Sequence, residues 1–330
     1  MWAGITGGTA LPSGTVDAVV VGAGPAGWTA ALYLARAGAA PLVLAGTTPG
    51  GRLMDTGPVE NFPGFPEGID GPELMARMRE QAERAGATVV TLDADEIRYA
   101  TGDPSARDAV HEIVTDEGTV RTRAVVLATG SAPRRLGLPG EAELGGGRGI
   151  AYCAVCEAPL FKGRDVAVVG GGDTAMEWVL ALAGHARRVR LLHRGERFRA
   201  TPVLLERVRS LDNVEIGAGR VVRRLLRGRD GKLAGLGVEE TATGDATDLT
   251  VQGLFVAIGH TPRTRLADGF LTLTPTGHLH ATGPGGATEL PGVFVAGDVA
   301  DARYRQAVTA AGAGCAAALE TTRYLEGVHA

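Results

Sequence analysis

Cysteine and net charge are both scarce in this sequence. Its 330 residues include only 3 cysteines, and 33 basic against 37 acidic residues leave a formal net charge of −4. The chain has no basic stripe, charged tail or aromatic-studded basic run, which argues against a nucleic-acid ligand. A chain of this length can bury a sizeable core without disulfides. So few cysteines indicate the cytoplasm, where a closed cysteine pair would be transient and catalytic.

Long apolar runs are missing as well. The longest, near Ala307–Leu319, is rich in glycine and alanine and too short to cross a bilayer. Met1–Gly14 lacks the charged start and apolar middle of a signal peptide, and we expect it to be a loose N-terminal extension. What the chain does contain is 50 glycines and 45% hydrophobic residues. This composition is typical of an α/β protein with tight strand-to-helix turns.

Two of the cysteines form a Cys-x-x-Cys pair, Cys153 and Cys156, just before a predicted strand and a glycine loop. Such a pair can be a structural disulfide, half of a zinc site or a redox centre. A zinc site usually needs a second Cys/His pair, and the only other cysteine, Cys315, stands alone among small residues. A ring this short stabilises a fold little through chain entropy. The pattern therefore favours thiol-disulfide redox chemistry.

A glycine-rich turn follows the first predicted strand, Asp17–Val21, and precedes a predicted helix, Trp28–Ala37. The setting of strand, glycine turn and helix is that of a dinucleotide-binding motif. In it Gly22 makes the turn, Gly24 lets a pyrophosphate approach the backbone, and Gly27 lets the helix lie close to the sheet. The turn itself reads Gly22, Ala23, Gly24, Pro25, Ala26 and Gly27.

The same pattern returns later in the chain at a constant offset. The predicted strand Asp165–Val169 leads into a second glycine turn, in which Gly170 follows Gly22 by 148 positions, and Gly172 and Ala175 follow Gly24 and Gly27 by the same number. The second turn reads Gly170, Gly171, Gly172, Asp173, Thr174 and Ala175. This internal duplication predicts two nucleotide sites.

The last predicted strand, within residues 292–298, ends in Gly297 and Asp298. We expect Asp298 to face a cofactor hydroxyl, to cap the following helix, or to do both. Arg305, Gln306 and Ala307 open the final helix, whose first amides could meet an electron-rich flavin edge.

Together these motifs identify a family. The segments GAGPAG, ENFPGF, LATG, GGGDTA, VAIGHTP, GVFVAGD and YRQA, with the cysteine pair at the entry of the second motif, resemble the low-molecular-weight thioredoxin reductases and related dithiol oxidases. The resemblance implies an α/β fold of two tandem Rossmann-like dinucleotide-binding domains. It divides the chain into an FAD domain made of residues 1–132 and 261–330 and an NAD(P)H-type domain, residues 133–260, that carries the cysteines.

The resemblance also assigns residues to roles. Cys156 would face the isoalloxazine ring, Cys153 would exchange with substrate, and Glu157 would hold the thiol proton, unless it is an ordinary solvated carboxylate. The expected FAD contacts are Gly22, Gly24, Pro25, Ala26, Gly27, Gly51, Arg52, Asn61, Thr129, Gly130, Gly297, Asp298, Arg305, Gln306 and Ala307. The NADPH contacts, should that cofactor bind, are Gly170, Gly172, Asp173, Thr174, Ala175, His193, Arg194 and Arg199. No metal is expected.

The sequence departs from the reductases just after the cysteines. They usually continue as Asp-Gly-aromatic-aromatic, whereas this chain reads Glu157, Ala158, Pro159 and Leu160. Ala158 lacks the freedom of glycine to adopt positive φ. Pro159 and Leu160 also remove the flat aromatic surface on which a thioredoxin would dock. These changes speak against that protein as the partner.

Two further departures concern the cofactors. One of the paired arginines that bind the 2′-phosphate is replaced by Gly195, while Arg194 and Arg199 remain, and Arg197 could substitute. Losing one charged contact costs about 1.5–3 kcal/mol, which weakens NADPH binding without excluding it. Arg52 replaces a glutamine near the flavin, where it could raise the flavin potential, bind an anionic substrate or simply be solvated.

Three functional hypotheses result. The departures favour an oxidase that closes the dithiol of a small molecule with oxygen as acceptor, similar to the gliotoxin- and holomycin-type enzymes. The alternative is an NADPH-dependent thioredoxin reductase, supported by the intact second glycine turn and by Arg148, which stands where the reductases contact thioredoxin. A redox-sensing flavoprotein is the third. The resemblance also implies a homodimer and, for the reductase alone, a swing of the smaller domain on linkers near residues 131–135 and 259–263.

Overall fold

Two units account for residues 11–56, 58–101 and 109–329, which the computed structural model describes. The first unit comprises the described parts of 1–54, 62–132 and 261–330, and the second comprises those of 55–61 and 133–260. The expectation for Met1–Gly14 falls outside the described residues as far as position 10.

The elements run along the chain as follows. The strands are β1 (Thr15–Val21), β2 (Leu42–Leu44), β3 (Pro58–Val59), β4 (Ile69–Asp70), β5 (Thr88–Val90), β6 (Glu96–Thr101), β7 (Val110–Thr115), β8 (Gly118–Leu127), β9 (Ser131–Pro133), β10 (Ile150–Ala151), β11 (Asp165–Val169), β12 (Arg188–His193), β13 (Val214–Ala218), β14 (Arg220–Arg227), β15 (Leu233–Glu240), β16 (Ala246–Thr250), β17 (Gly253–Val256), β18 (His260–Pro262) and β19 (Val293–Val295). The α-helices are α1 (Pro25–Arg36), α2 (Gly71–Ala85), α3 (Ala154–Glu157), α4 (Asp173–Ala183), α5 (Pro202–Arg209) and α6 (Ala307–His329). Single 3₁₀ turns cover Gly51–Asp55, Ala158–Phe161, Arg265–Ala267, Pro284–Gly286 and Gly297–Val299.

The sheet of the first unit has the strand order β5-β2-β1-β8-β7-β6, and β19 pairs with β8. Pairs among β5, β2, β1, β8 and β19 are parallel, while β7 runs antiparallel to β8 and β6. Residues 18–21 of β1 are buried without alternation, as expected for a parallel strand covered on both faces. Helix α6 packs closely on α1, because a Cβ built on Gly314 would lie 2.1 Å from the Ala26 carbonyl oxygen.

The second unit is built on a parallel sheet with the order β10-β17-β11-β12-β13, accompanied by the antiparallel sheet β14-β15-β16. Helix α4 covers the parallel sheet through Met176, Val179 and Leu182, which are fully buried. The two units therefore repeat one strand, turn and helix arrangement. Helix α1 begins at Pro25 and α4 at Asp173, which is the offset found in the sequence. The α/β fold with two Rossmann-type sheets is confirmed.

The chain passes into the second unit between Ala132 and Pro133 and returns between His260 and Thr261. Residues 55–61 also cluster with the second unit, although the sequence analysis assigned them to the first. Within that unit, a Cβ built on Gly146 would be in ordinary contact with the Asp55 carbonyl oxygen, at 3.8 Å. By this division Asn61 groups with the second unit, and its contact with FAD stays a prediction.

None of the helices in the described ranges combines the length and apolar character that crossing a bilayer requires.

Candidate functional site

The first glycine turn connects β1 to α1 and depends on glycine at two points. Gly22 has φ +113°, and a Cβ there would lie 2.3 Å from the Ala128 carbonyl oxygen. A Cβ on Gly27 would lie 1.9 Å from the Gly22 carbonyl oxygen. Around Gly24, by contrast, a Cβ would meet nothing within 4 Å. The turn is thus closed on the protein side and open beside the first amides of α1, where an anionic diphosphate can approach.

A second predicted segment lies against this turn. A Cβ on Gly51, which has φ +61°, would lie 3.6 Å from the Gly24 Cα. Arg52 follows in the 3₁₀ turn Gly51–Asp55. The structure therefore brings Gly24 and Gly51 together, and Arg52 is the next residue along the chain.

Asp298 follows β19 at the edge where the parallel strands of the first unit end. Burial raises the pKa of its carboxyl, and the charge of Arg52 and a hydrogen bond from Ser131 act in the opposite direction. The Ser131 hydroxyl donates to Asp298 Oδ2 at 3.2 Å. The suggestion that Asp298 caps the following helix was wrong, because Ala296 occupies the N-cap of the 3₁₀ turn Gly297–Val299 and α6 begins only at Ala307. Its carboxyl group therefore accepts from Ser131 and feels the charge of Arg52.

The segment before α6 is held by a carboxylate that the sequence analysis missed. Asp301 accepts hydrogen bonds from the amides of Arg303 at 2.8 Å, Tyr304 at 2.9 Å and Arg305 at 3.1 Å. Arg305 has φ +50°, a conformation uncommon outside glycine. An aspartate that accepts amides two to four residues ahead is a local turn signal, so the sequence could have pointed to it.

His278 is a second residue that the sequence did not reveal. It is buried, and the charges of Arg305, Asp301 and Asp298 act on its pKa, which burial lowers. Its Nδ1 lies 3.0 Å from Thr276 Oγ1, while Nε2 has no partner among the described residues. The ring is therefore close enough to Asp298 and Arg305, two predicted cofactor contacts, for their charges to act on it.

Thr129 and Gly130 are hydrogen-bonded to Arg263, in the later segment of this unit. The Thr129 hydroxyl donates to the Arg263 carbonyl oxygen at 2.7 Å, and the Arg263 amide donates to the Gly130 carbonyl oxygen at 2.9 Å. Gln306 also has a local role, since its carbonyl oxygen accepts from the Thr309 hydroxyl and the Ala310 amide.

The second glycine turn, between β11 and α4, repeats the first. A Cβ on Gly170 would lie 2.5 Å from the Ala257 carbonyl oxygen, whereas a Cβ on Gly172 would meet nothing within 4 Å. Thr174 and Ala175 belong to the first turn of α4, and Asp173 Oδ1 accepts the Thr201 amide at 2.6 Å. The second turn is therefore packed tightly against the protein at Gly170 and open at Gly172, as the first turn is at Gly22 and Gly24.

An arginine loop, defined here as residues 194–199, lies beside this second turn. Arg194, Arg197 and Arg199 are exposed, and within the described chain their guanidinium groups make no ion pair. The Arg199 amide donates to the Gly171 carbonyl oxygen at 2.7 Å, which fixes the loop to the turn. His193 is stacked on Phe198 with ring centroids 4.9 Å apart. Arginine side chains with no carboxylate partner suit a phosphate.

The cysteines form a disulfide in the second unit, with Cα atoms 5.4 Å apart. Cys153 is the N-cap of α3, and its Sγ accepts the Cys156 amide at 3.3 Å. Val155, between them, is 63% exposed. This geometry presents the bridge on a short helix next to an exposed apolar side chain.

The residues after the bridge adopt an ordinary helical backbone. Ala158 has φ −54° and is buried, so this position does not require the conformational freedom of glycine, and that part of the argument against a thioredoxin partner was wrong. Pro159 is exposed, and Leu160 packs against the core of the second unit. The amide of Glu157 donates to the Cys153 carbonyl oxygen at 3.2 Å. Its half-buried carboxyl therefore stands directly after Cys156.

Across residues 11–56, 58–101 and 109–329, no group of three or more His, Cys, Asp or Glu side chains is arranged to hold a metal ion.

Comparisons with known proteins extend over nearly the whole chain. The family model described as pyridine nucleotide-disulphide oxidoreductase matches residues 16–314. A thioredoxin reductase of Streptomyces coelicolor is 48% identical over 311 residues, which is 94% of this chain and 94% of that protein. The crystal structure of thioredoxin reductase from Streptococcus pyogenes aligns with a TM-score of 0.87 at 34% identity, covering 96% of this chain and 100% of that one. The crystal structure of HlmI aligns with a TM-score of 0.81 at 26% identity, covering 96% and 95%.

Proposed function

Because the chain belongs to the pyridine nucleotide-disulphide oxidoreductase family, we propose that it is a thioredoxin-type disulfide reductase with NADPH as electron donor. The observation that carries the proposal is the arginine loop beside the second glycine turn, in the unit that also holds the disulfide. The similarity to thioredoxin reductases supports this function over the dithiol oxidase that the sequence departures favoured. At the coarser level the chain is an FAD-dependent disulfide oxidoreductase.

The first unit has the features that FAD requires. The open side of Gly24 and the first amides of α1, which no side chain of the described residues caps, fit a diphosphate, and Asp298 fits a sugar hydroxyl. We assign the FAD contacts of this unit to the glycine turn, Gly51 and Arg52, Thr129 and Gly130, and the segments 297–298 and 305–307. When bound, FAD supplies a two-electron carrier between nicotinamide and disulfide.

The second unit fits NADPH in the same way. The open side of Gly172 takes the diphosphate at the start of α4, and Arg194 and Arg199 take the 2′-phosphate. Arg197 lies in the same loop and offers the charge that Gly195 lacks. The proposal thus assigns a charged partner to each arginine of the loop.

The chemistry of the cysteine pair follows from thiol-disulfide exchange. After reduction, the Cys153 thiolate attacks a substrate disulfide, one substrate sulfur leaves as a thiol, and a mixed disulfide forms. The Cys156 thiolate then attacks Cys153, releasing the second substrate thiol and closing the bridge again. The step needs a group that gives and takes a proton near Cys156, and we assign it to the Glu157 carboxyl. The alternative is that Glu157 remains a solvated carboxylate with no part in the reaction.

A small-molecule dithiol oxidase is the second candidate. The observation that favours it is the surface beside the bridge, where Val155 is the exposed apolar side chain and Leu160 packs inward. A small apolar patch suits a small dithiol better than a protein. In that case substrate thiols would open the bridge and oxygen would be the final acceptor.

We also propose a homodimer for the assembly. On α6, Val308, Gly312, Cys315 and Leu319 repeat at intervals of four and three residues, so they share one helix face. Val308 and Leu319 are 42% and 48% exposed, and interaction with Cys315 raises the pKa of Tyr33 on α1. An exposed apolar stripe of this kind supports pairing with a second copy.

The expected cytoplasmic location stays a prediction.

Turnover with defined substrates tests the choice between the two enzymes. The purified flavoprotein is mixed with NADPH and a thioredoxin, and separately with a small dithiol and oxygen, with Cys153→Ser as the inactive control in both. The proposal expects steady NADPH oxidation that depends on thioredoxin. Oxygen uptake driven by the dithiol, with no reaction with NADPH, would establish the oxidase instead.

A further inference from the structure

A buried carboxylate of the second unit is hydrogen-bonded to the residue that precedes the redox pair. The Glu141 residue is only 3% exposed. Its Oε1 accepts the Tyr152 hydroxyl at 2.8 Å and the Leu136 amide at 2.9 Å. Its Oε2 accepts the amides of Gly137 at 2.8 Å and Leu138 at 3.3 Å. Both oxygens are therefore fully hydrogen-bonded by neutral donors, which makes this a strongly fixed group.

The tyrosine on this carboxylate directly precedes Cys153. Strand β10 ends at Ala151, which pairs with Phe255 of β17, and Cys153 is already the N-cap of α3. Tyr152 is thus the one residue between the sheet and the helix that carries the bridge. Its ring is also covered by the Arg135 guanidinium, 6.0 Å from the ring centroid. The side chain is held at its hydroxyl and on its face.

The other partners of Glu141 come from the start of the second unit. Residues 136–138 follow shortly after the crossing at Pro133, and the nearby Arg134 amide donates to the Gly259 carbonyl oxygen at 3.0 Å. One carboxylate therefore joins the entry segment of this unit to the residue before the bridge. Nothing in the mechanism derived above uses this connection.

We propose that Tyr152, fixed by Glu141, is a positioning residue of the redox pair, which holds the backbone entering Cys153 so that the two sulfurs stay at bonding distance. A dithiol closes more readily when its two thiols are confined near each other, because the effective concentration of one at the other is higher. Releasing Tyr152 lets the reduced loop sample more conformations, which favours the open dithiol. The inference rests on the redox role in the proposed function, but not on the choice between NADPH and oxygen.

The equilibrium of the bridge with dithiothreitol tests the inference. In this exchange the protein disulfide and the reagent dithiol become the protein dithiol and the cyclic reagent disulfide, so thiols and electrons balance. The FAD-loaded protein is equilibrated anaerobically over graded reagent ratios without NADPH, alkylated, and its thiols are counted by mass. Tyr152→Phe removes only the hydroxyl and leaves Glu141 three backbone donors. We expect its equilibrium to shift three- to tenfold toward the dithiol, about 14–30 mV for a two-electron couple.

A matched control is Tyr99→Phe, which makes the same chemical change in the first unit. The Tyr99 hydroxyl is buried with no partner in the described structure, so its removal breaks no hydrogen bond among those residues. This variant should keep the wild-type equilibrium. Glu141→Gln should shift the equilibrium in the same direction as Tyr152→Phe. If the Glu141→Gln variant does not fold, the result for Tyr152→Phe decides alone.

The contrary results are distinguishable. A Tyr152→Phe equilibrium within about twofold of a reducible wild type, with the fold retained by thermal melting, overturns the inference and leaves the proposed function standing. A wild-type bridge that stays closed at every reagent ratio overturns both.

Discussion

Two histidines of the first unit are buried and have lowered pKa values. Burial is the main cause for both His111 and His278. His111 Nε2 lies 3.1 Å from the Pro291 carbonyl oxygen, and its Nδ1, like His278 Nε2, has no partner in the described part of the chain. Both rings therefore resist protonation in the folded protein and stay neutral near pH 7.

The stability of the protein should fall as the pH drops below about 6.5, the ordinary histidine pKa. In that range the unfolded chain binds protons that the folded protein excludes. The free energy of unfolding therefore falls by up to about 1.4 kcal/mol per pH unit for each histidine. Above that pH both forms are neutral and the effect vanishes. Thermal melting of wild type and His278→Gln at pH 7.5 and 5.5 measures it. We expect the variant to lose less stability on acidification, and an equal or larger loss would show that His278 is not excluded from protonation.

Polar residues of the candidate sites were predictable only where their signal is local. Asp298 was predicted because it follows an apolar run, and the cysteines because of their spacing. His278 and Glu141 were missed, since His278 faces a segment more than twenty positions away and the Glu141 partner Tyr152 lies eleven positions on. Such pairings depend on tertiary packing, which no local pattern encodes.

At the scale of elements, the glycine turns were the most predictable parts of the fold. Each turn excludes a Cβ at its first glycine, so the sequence could specify it directly. Helix starts at Pro25 and Asp173 followed from that. The segment after the cysteines was harder, because Ala158 joins a 3₁₀ turn of ordinary φ, a conformation that its family comparison did not suggest.

The arginine loop should determine the preference for NADPH over NADH. Replacing Arg199 or Arg194 with alanine removes one charged contact to the 2′-phosphate, which should weaken NADPH about 10- to 100-fold and leave NADH nearly unchanged. Arg229→Ala, an exposed arginine of the same unit outside the loop, is the control. Titration of each variant with both nucleotides measures the effect. Equal losses for NADPH and NADH would mean that the loop does not read the phosphate.

The apolar stripe on α6 should govern assembly. Leu319→Glu places a charge in the proposed interface, where burial without a partner is costly, and should convert dimer to monomer. Light scattering after size exclusion measures the mass. Glu326→Lys, a charge change at an exposed position of the same helix, is the control. A wild-type monomer, or a variant that remains dimeric, would contradict the assignment of this stripe.

At the scale of the whole molecule, the duplicated motif and the family resemblance led to a fold of two Rossmann-type sheets. The exception was the loop at residues 55–61, which precedes the second unit by more than seventy positions and yet clusters with it. An excursion of this kind leaves no mark in composition or periodicity. A few departures from the family pattern were also a poor guide to whether the enzyme is an oxidase or a reductase. The rest of the chain is similar to thioredoxin reductases.

The central claim is that two electrons from NADPH open the bridge between Cys153 and Cys156. One equivalent of NADPH is added anaerobically to the flavoprotein, free thiols are alkylated, and the labelled cysteines are mapped by mass. We predict two new thiols per chain, at Cys153 and Cys156, with Cys315 labelled equally before and after. An oxidised nucleotide without new thiols, or a bridge that stays closed while NADPH remains unchanged, would contradict the account.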